Sequence, residues 1–179
     1  MKILLVIDAQ NDFVTGTLSN PEAQAKISIL KEKIEKRKAE GWLVMFTQDT
    51  HWDETYMTST EGRYLPVKHC IRNTWGWQIV DELQPYAKTT ISITKTRFGE
   101  PNLYNYIMQW IGETDICLID EIELVGFCTD ICVISNAIIL KSLVHGIVIS
   151  CDSACCAGTS IEAHEAALTV MKSCHIEVH

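Results

Sequence analysis

A thiol, a carboxylate and an ammonium each stand at the end of an apolar run in this 179-residue chain. Asp8 follows the run 2–7, in Asp8-Ala9-Gln10-Asn11-Asp12-Phe13, and Lys95 follows the β-branched run 89–94, in Lys95-Thr96-Arg97-Phe98-Gly99. Cys132 lies just beyond the run 123–127, in Gly126-Phe127-Cys128-Thr129-Asp130-Ile131-Cys132-Val133. Together they are a nucleophile, a base and a charge-stabilising cation, the parts that covalent acyl transfer needs. The Gly and Thr-Asp turn predicts Cys132 in the first turn of a helix. There, orphan backbone N–H groups and the helix dipole favour thiolate over thiol. The competing reading is a structural cysteine packed at a helix start. The two other strand-end groups tell against it.

A second constellation sits one strand over. Asp49-x-His51 follows the run 42–47, and His69 stands in Leu65-Pro66-Val67-Lys68-His69-Cys70. One carboxylate and two imidazoles suit zinc, iron or manganese, with positions left for water or substrate. Glu61 lies in the same stretch and is the candidate fourth ligand. A loop with two surface histidines is the competing reading. The remaining histidines have no comparable setting. His145 beside Gly146 reads as a helix C-terminal cation, His164 as a helix-surface residue, and His175 and His179 as near-terminal polar groups.

These groups need a scaffold that brings them to one edge, and the chain alternates apolar runs with amphipathic segments in a way that supplies it. Residues 2–7 read as a buried strand. Pro21 suits the first helical position, and Ile27, Leu30 and Ile34 repeat with helical spacing until Gly41. A strand at 42–47 follows, then an aperiodic stretch from Gln48 to Asn73 whose length suggests a functional loop. A short helix is expected at 77–83, a strand at 89–94, and a helix after Pro101 carrying Leu103, Ile107 and Ile111 on one face. The strand 123–127 feeds Cys132, with 116–119 as its start or part of the preceding connection. A helix over 130–144 stops at Gly146, a strand covers 147–151, and capping-box spacing at Thr159-Ser160-Ile161-Glu162 starts a helix over 160–173. Residues 176–178 read as a last strand. Such alternation implies right-handed crossovers and a parallel sheet covered on both faces, with ligands bound at the carboxyl ends of the strands.

Composition agrees with a single domain over 1–179 and narrows its partners. Apolar residues make up 47% and charged ones 21%, ordinary for a globular protein. A net charge of −8 disfavours nucleic acid and anionic membrane surfaces. The first apolar run is interrupted at Asp8, too soon for a signal-peptide core or a membrane span, so a cytoplasmic enzyme is expected. Of the eight cysteines, Cys117, Cys128, Cys132, Cys151, Cys155 and Cys156 lie in or beside apolar runs, which suits reduced thiols. Without paired Cys-x-x-Cys knuckles they do not read as a thiolate zinc site.

Taken in order, Asp-x-x-Asn-Asp-Phe from Asp8, Lys-x-x-Phe-Gly from Lys95 and the Gly126–Val133 octapeptide resemble the isochorismatase-like cysteine hydrolases. Asp49-x-His51 with Pro66-x-x-His69-Cys70 is similar to the nicotinamidase branch of that superfamily. The resemblance spans nearly the whole chain. It implies an α/β, three-layer Rossmann-like fold with a mainly parallel sheet of about six strands and helices on both faces. It also implies a triad of Asp8, Lys95 and Cys132. A cis peptide bond at Phe127–Cys128 would turn the backbone N–H of Cys128 toward that of Cys132 as an oxyanion hole. Two positions depart from the pattern. Met57 stands where some relatives carry a further histidine, which leaves Glu61 as the candidate for the fourth metal position. Asn73-Thr74 replaces a frequent Gly-Thr, a change a turn tolerates.

The activity this implies is hydrolysis of a small-molecule amide, nicotinamide first, through a cysteine thioester, with a divalent metal ion holding the pyridine nitrogen. Zinc is the first expectation and iron or manganese the alternatives. Phe13 is the leading aromatic to pack the substrate ring, followed by Trp75 and Phe98. Relatives often assemble, so a homo-oligomer is a further expectation. Two rivals remain: a cysteine amidase for another small amide or carbamoyl compound, and a non-catalytic metal- or ligand-binding protein on the same scaffold.

Overall fold

Ile3 to Ile7 are wholly inaccessible to solvent, and that burial dictates where the run sits. A strand apolar on both faces needs a neighbour on each edge and helices above and below. The computed structural model describes residues 1–112 and 119–179. There, β1 (Lys2–Ile7) pairs in parallel with β2 (Leu43–Asp49) on one side and β4 (Glu121–Phe127) on the other. β3 (Ser92–Lys95) extends the sheet beyond β2, while β5 (Val148–Ala157) and β6 (Glu177–Val178) extend it beyond β4. The order is β3-β2-β1-β4-β5-β6 and every pairing is parallel. Strand order reverses between β1 and β4, the switch point where such sheets open a crevice at the strands' carboxyl ends.

Helices around the sheet complete a three-layer α/β fold. Asn20 caps α2 (Pro21–Ala39), its side chain accepting from the N–H groups of Glu22 and Ala23, and Ala23, Ile27, Leu30 and Ile34 are its buried face. α5 (Leu103–Ile111) buries Leu103 and Ile107. α6 (Ile134–Leu143) follows a π-helical turn over Thr129–Val133, so Cys132 sits in that wider turn ahead of the α-helix. Ser160 caps α7 (Ile161–Ser173) by accepting from the Ala163 N–H. α1 (Asn11–Val14), α3 (Thr60–Tyr64) and α4 (Gln84–Ala87) are single turns. No helix among the described residues is long and apolar enough to cross a membrane.

Several boundaries differ from the sequence reading. The expected helix at 77–83 is absent, and the helical turn starts at Gln84. The backbone there pairs instead with the loop after β1: Asn11 N donates to Gln78 O, and Val80 N to Ala9 O. Trp77 O also accepts from the Gln10 and Gln48 side chains. Lys95 is the last residue of β3 rather than the one after it. β5 runs on to Ala157 with a register shift against β4 between Leu124 and Gly126. Gly126 has φ +116, and a Cβ there would come within 2.1 Å of Ile7 O, so only glycine lets β4 close on β1 ahead of the Cys132 turn. Asn73 adopts φ 67, the left-handed conformation asparagine tolerates in place of glycine. The expectation for 116–118, and the Cys117 side chain, lie outside the described residues.

Candidate active site

Parallel strands end on the same edge, so the groups following β1, β2, β3 and β4 converge. Lys95, closing β3, is register partner to Asp49, closing β2. Its side chain reaches past β2, with Nζ 2.6 Å from Asp8 Oδ2, 3.4 Å from Cys132 Sγ and 3.5 Å from Asp49 Oδ1. It also donates to Arg97 O at 3.1 Å. Asp8, Lys95 and Cys132 are all buried. Asp8 sits in the left-handed region at φ 46, and Thr47 holds it: Thr47 Oγ1 donates to Asp8 Oδ1 at 2.7 Å and accepts from Asp8 N at 3.2 Å. Asn136 fixes the other end of the turn, donating to Cys132 O at 2.7 Å and to Phe98 O at 3.1 Å.

The electrostatics correct one expectation. Burial pushes the Cys132 thiol well above its usual range, against the pull of Lys95, and the charge on Asp8 raises it further. A helix start and one ammonium do not offset complete desolvation, so the resting sulfur keeps its proton. Burial also raises the Asp8 carboxyl, opposed by Lys95. Burial works against the Lys95 charge, but Asp8, Cys132 and Asp49 outweigh it and hold the ammonium protonated. Burial works against a charge on Asp49, but Lys95 and the two histidines hold its carboxyl below the usual range, so Asp8 and Cys132 share the ammonium with it. Lys95 Nζ is the common neighbour of the Asp8 carboxyl and the Cys132 sulfur.

Beside this cluster, Asp49, His51, Glu61 and His69 present donor atoms all within 4.8 Å of one another. His51 Nε2 lies 2.9 Å from Asp49 Oδ2 and 3.6 Å from Glu61 Oε1; His69 Nε2 lies 3.6 Å and 3.4 Å from the same two oxygens. The loop explains the convergence. His51 N donates to Cys70 O and Arg72 N to His51 O, a parallel bridge that lays His69 beside His51. The buried Asp12 carboxylate holds the same segment by accepting from Cys70 N at 2.7 Å. Glu61 projects from the first turn of α3, capped by Ser59. Burial works against a charge on His69, yet hydrogen bonds to Asp49 and Glu61 raise it to about 10. Two carboxylates that draw a proton this strongly, beside two imidazoles, are a donor set that fits a divalent cation. Met57 is exposed on the surface.

A cavity of about 1140 Å³ opens onto both clusters, with Cys132, Cys128, His51 and His69 in its wall. Phe13 lines it and packs 5.7 Å, centroid to centroid, from the His69 ring. Phe98 lines it while half exposed. Trp75 does not line it: the residue is 55% exposed, and its carbonyl accepts from Asn11 Nδ2 at 2.8 Å. The peptide bond Phe127–Cys128 is cis. Tyr56 had no signal in the sequence, since an aromatic in an aperiodic loop carries no facing. It is buried edge-on against His51 and His69, and its hydroxyl donates to Leu65 O. Thr47 and Asn136 were equally silent as single polar residues in apolar runs.

Fold and site together define a doubly wound α/β protein with a thiol, carboxylate and ammonium at its switch point and, beside them, two carboxylates and two imidazoles that fit a cation. The isochorismatase domain model matches residues 2–179. A nicotinamidase of Saccharomyces cerevisiae is 28% identical over 174 residues, covering 77% of this chain and 80% of the relative. The solved pyrazinamidase of Pyrococcus horikoshii in complex with zinc superposes with a TM-score of 0.79 at 28% identity, covering 99% of this chain and 98% of that one. The solved pyrazinamidase/nicotinamidase of Streptococcus mutans superposes with a TM-score of 0.83 at 26% identity, covering 100% of both chains. The chain belongs to the isochorismatase family, in its nicotinamidase branch.

Proposed function

We propose that the protein hydrolyses nicotinamide to nicotinate and ammonia through a thioester on Cys132. One observation carries the reading: Lys95 Nζ stands 2.6 Å from the Asp8 carboxylate and 3.4 Å from the Cys132 sulfur, beside the cavity. The nicotinamidase and pyrazinamidase relatives support the choice of substrate.

Asp8 takes the thiol proton as the sulfur bonds to the carboxamide carbon, and Lys95 holds the negative charge that passes between them. The carbonyl oxygen, now an oxyanion, accepts from the backbone N–H groups of Cys128 and Cys132. Asp8 gives its proton to the nitrogen, the C–N bond breaks, and ammonia leaves a thioester. Water then adds to the thioester carbon while Asp8 takes its proton. The C–S bond breaks, the Asp8 proton returns to sulfur, and the acid leaves as nicotinate with its own proton passing to ammonia or water. Phe13 packs the ring. A divalent ion held by Asp49, His51, Glu61 and His69, zinc ahead of iron or manganese, supplies a Lewis acid for the ring nitrogen when bound. The partner on this reading is a small-molecule amide, and the working compartment is the cytoplasm.

A second reading, hydrolysis of another small amide or carbamoyl compound, is favoured by the cavity, whose 1140 Å³ exceeds what one ring fills. The experiment is ammonia release from nicotinamide with and without a chelator. Turnover that the chelator abolishes supports the first reading. Rejection of nicotinamide, with chelator-insensitive hydrolysis of other amides, supports the second.

A further inference from the structure

The turn that carries Cys128 and Cys132 is held from behind by a histidine that the sequence had placed on a helix surface. His164, in the first turn of α7, is half-buried, and its Nδ1 lies 2.8 Å from Thr129 Oγ1. Thr129 is wholly buried and falls between Cys128 and Asp130 in the turn after β4. We propose that His164 is a positioning residue, which through Thr129 keeps the backbone donors of Cys128 and Cys132 aimed at the substrate carbonyl.

Two further contacts make α7 and the turn one unit. Asp130 Oδ1 accepts from Thr159 N at 2.8 Å, and Asp130 Oδ2 from Thr159 Oγ1 at 2.5 Å. At Gly158 a Cβ would lie 2.8 Å from His164 N and 2.9 Å from Asp130 Oδ1, so the chain entering α7 sits directly on the turn. The His164 N–H is committed to Ser160 O at 3.0 Å, which fixes the ring's point of attachment. Neutral imidazole with an unprotonated Nδ1 accepts a hydrogen bond from the Thr129 hydroxyl. Imidazolium has no such lone pair and must donate, so the Thr129 hydroxyl has to turn away inside a wholly buried site.

The charged groups around His164 are Glu165 on α7, Asp130 in the turn, and Lys26 and Glu22 on α2. Burial outweighs them in sum and keeps the imidazole below its ordinary value. The Thr129 hydroxyl therefore donates to His164 at neutral pH and has to accept from it in acid, which reverses the bond and turns the hydroxyl.

The kinetic consequence rests on the amide-hydrolase reading; the geometric one does not. H164A should lower kcat about tenfold with KM nearly unchanged, because substrate still binds but the donors no longer meet the developing charge. H164Q, whose amide can still partner Thr129, should stay within about threefold of wild type while losing the His164 step from the acid limb of its pH profile. A measurement free of turnover is ¹⁵N NMR: in the wild type the Cys128 and Cys132 amide shifts should follow the His164 titration, and in H164Q they should not. Wild-type kcat in H164A, or amide shifts indifferent to His164 in the wild type, overturns the proposal. If H164A fails to fold, H164Q and the amide shifts decide. A wild type that releases no ammonia from any amide refutes the functional reading, and the amide shifts still decide the positioning role.

Discussion

Lys95 and Asp8 meet as a wholly buried ion pair, Nζ to Oδ2 at 2.6 Å, across the end of an intervening strand. Two charges are taken out of water there, and each is tolerable only because the other is present. The Cys132 sulfur, 3.4 Å from the same ammonium, is the third member of that balance.

Removing one partner strands the other. K95M and D8N should each destabilise the fold by about 3–5 kcal/mol, and the double variant should be less destabilised than the sum of the two. Denaturant unfolding of the four proteins reads this directly. Additive losses would mean that the pair is not the unit it looks.

Burial, rather than the helix start, sets the reactivity of the thiol. Alkylation of Cys132 by iodoacetamide should be slow at neutral pH and still rising above the ordinary thiol value of about 8.5. Because Lys95 lowers the thiol's value, K95M should shift that rise to higher pH still. Mass spectrometry of the labelled peptide follows both. Fast labelling that is already maximal at acid pH would contradict the raised value.

On the proposed function, Asp49, His51, Glu61 and His69 hold one cation together. H51A should lose its bound divalent metal, and its KM for nicotinamide should rise about tenfold or more as orientation is lost. Elemental analysis beside steady-state kinetics tests the coupling. Metal loss with unchanged KM would separate the cation from substrate binding.

What the sequence made legible follows a physical division. Asp8, Lys95 and Cys132 could be picked out because parallel strands end on one edge, so a polar residue closing an apolar run has a known destination. Asp49-x-His51 follows a strand in the same way, whereas Glu61 and His69 were chosen from their place in the loop and Phe13 as an aromatic near Asp8. The Trp77 segment is not helical because the Trp77 carbonyl accepts from both Gln10 and Gln48, partners distant in sequence. Trp75 was misjudged because the loop uses its backbone and leaves the residue exposed. His164 looked like a surface residue because the docking of α7 on the Thr129 turn is tertiary. The direction of the thiol's shift was missed because desolvation belongs to the folded cavity and to no local motif.

The account stands on the Cys132 sulfur forming the bond to substrate. The most direct measurement is ammonia release from nicotinamide by wild type and C132A, with circular dichroism establishing that both are folded. The account predicts steady release by the wild type and none above background by C132A. Release by folded C132A at the wild-type rate would contradict it.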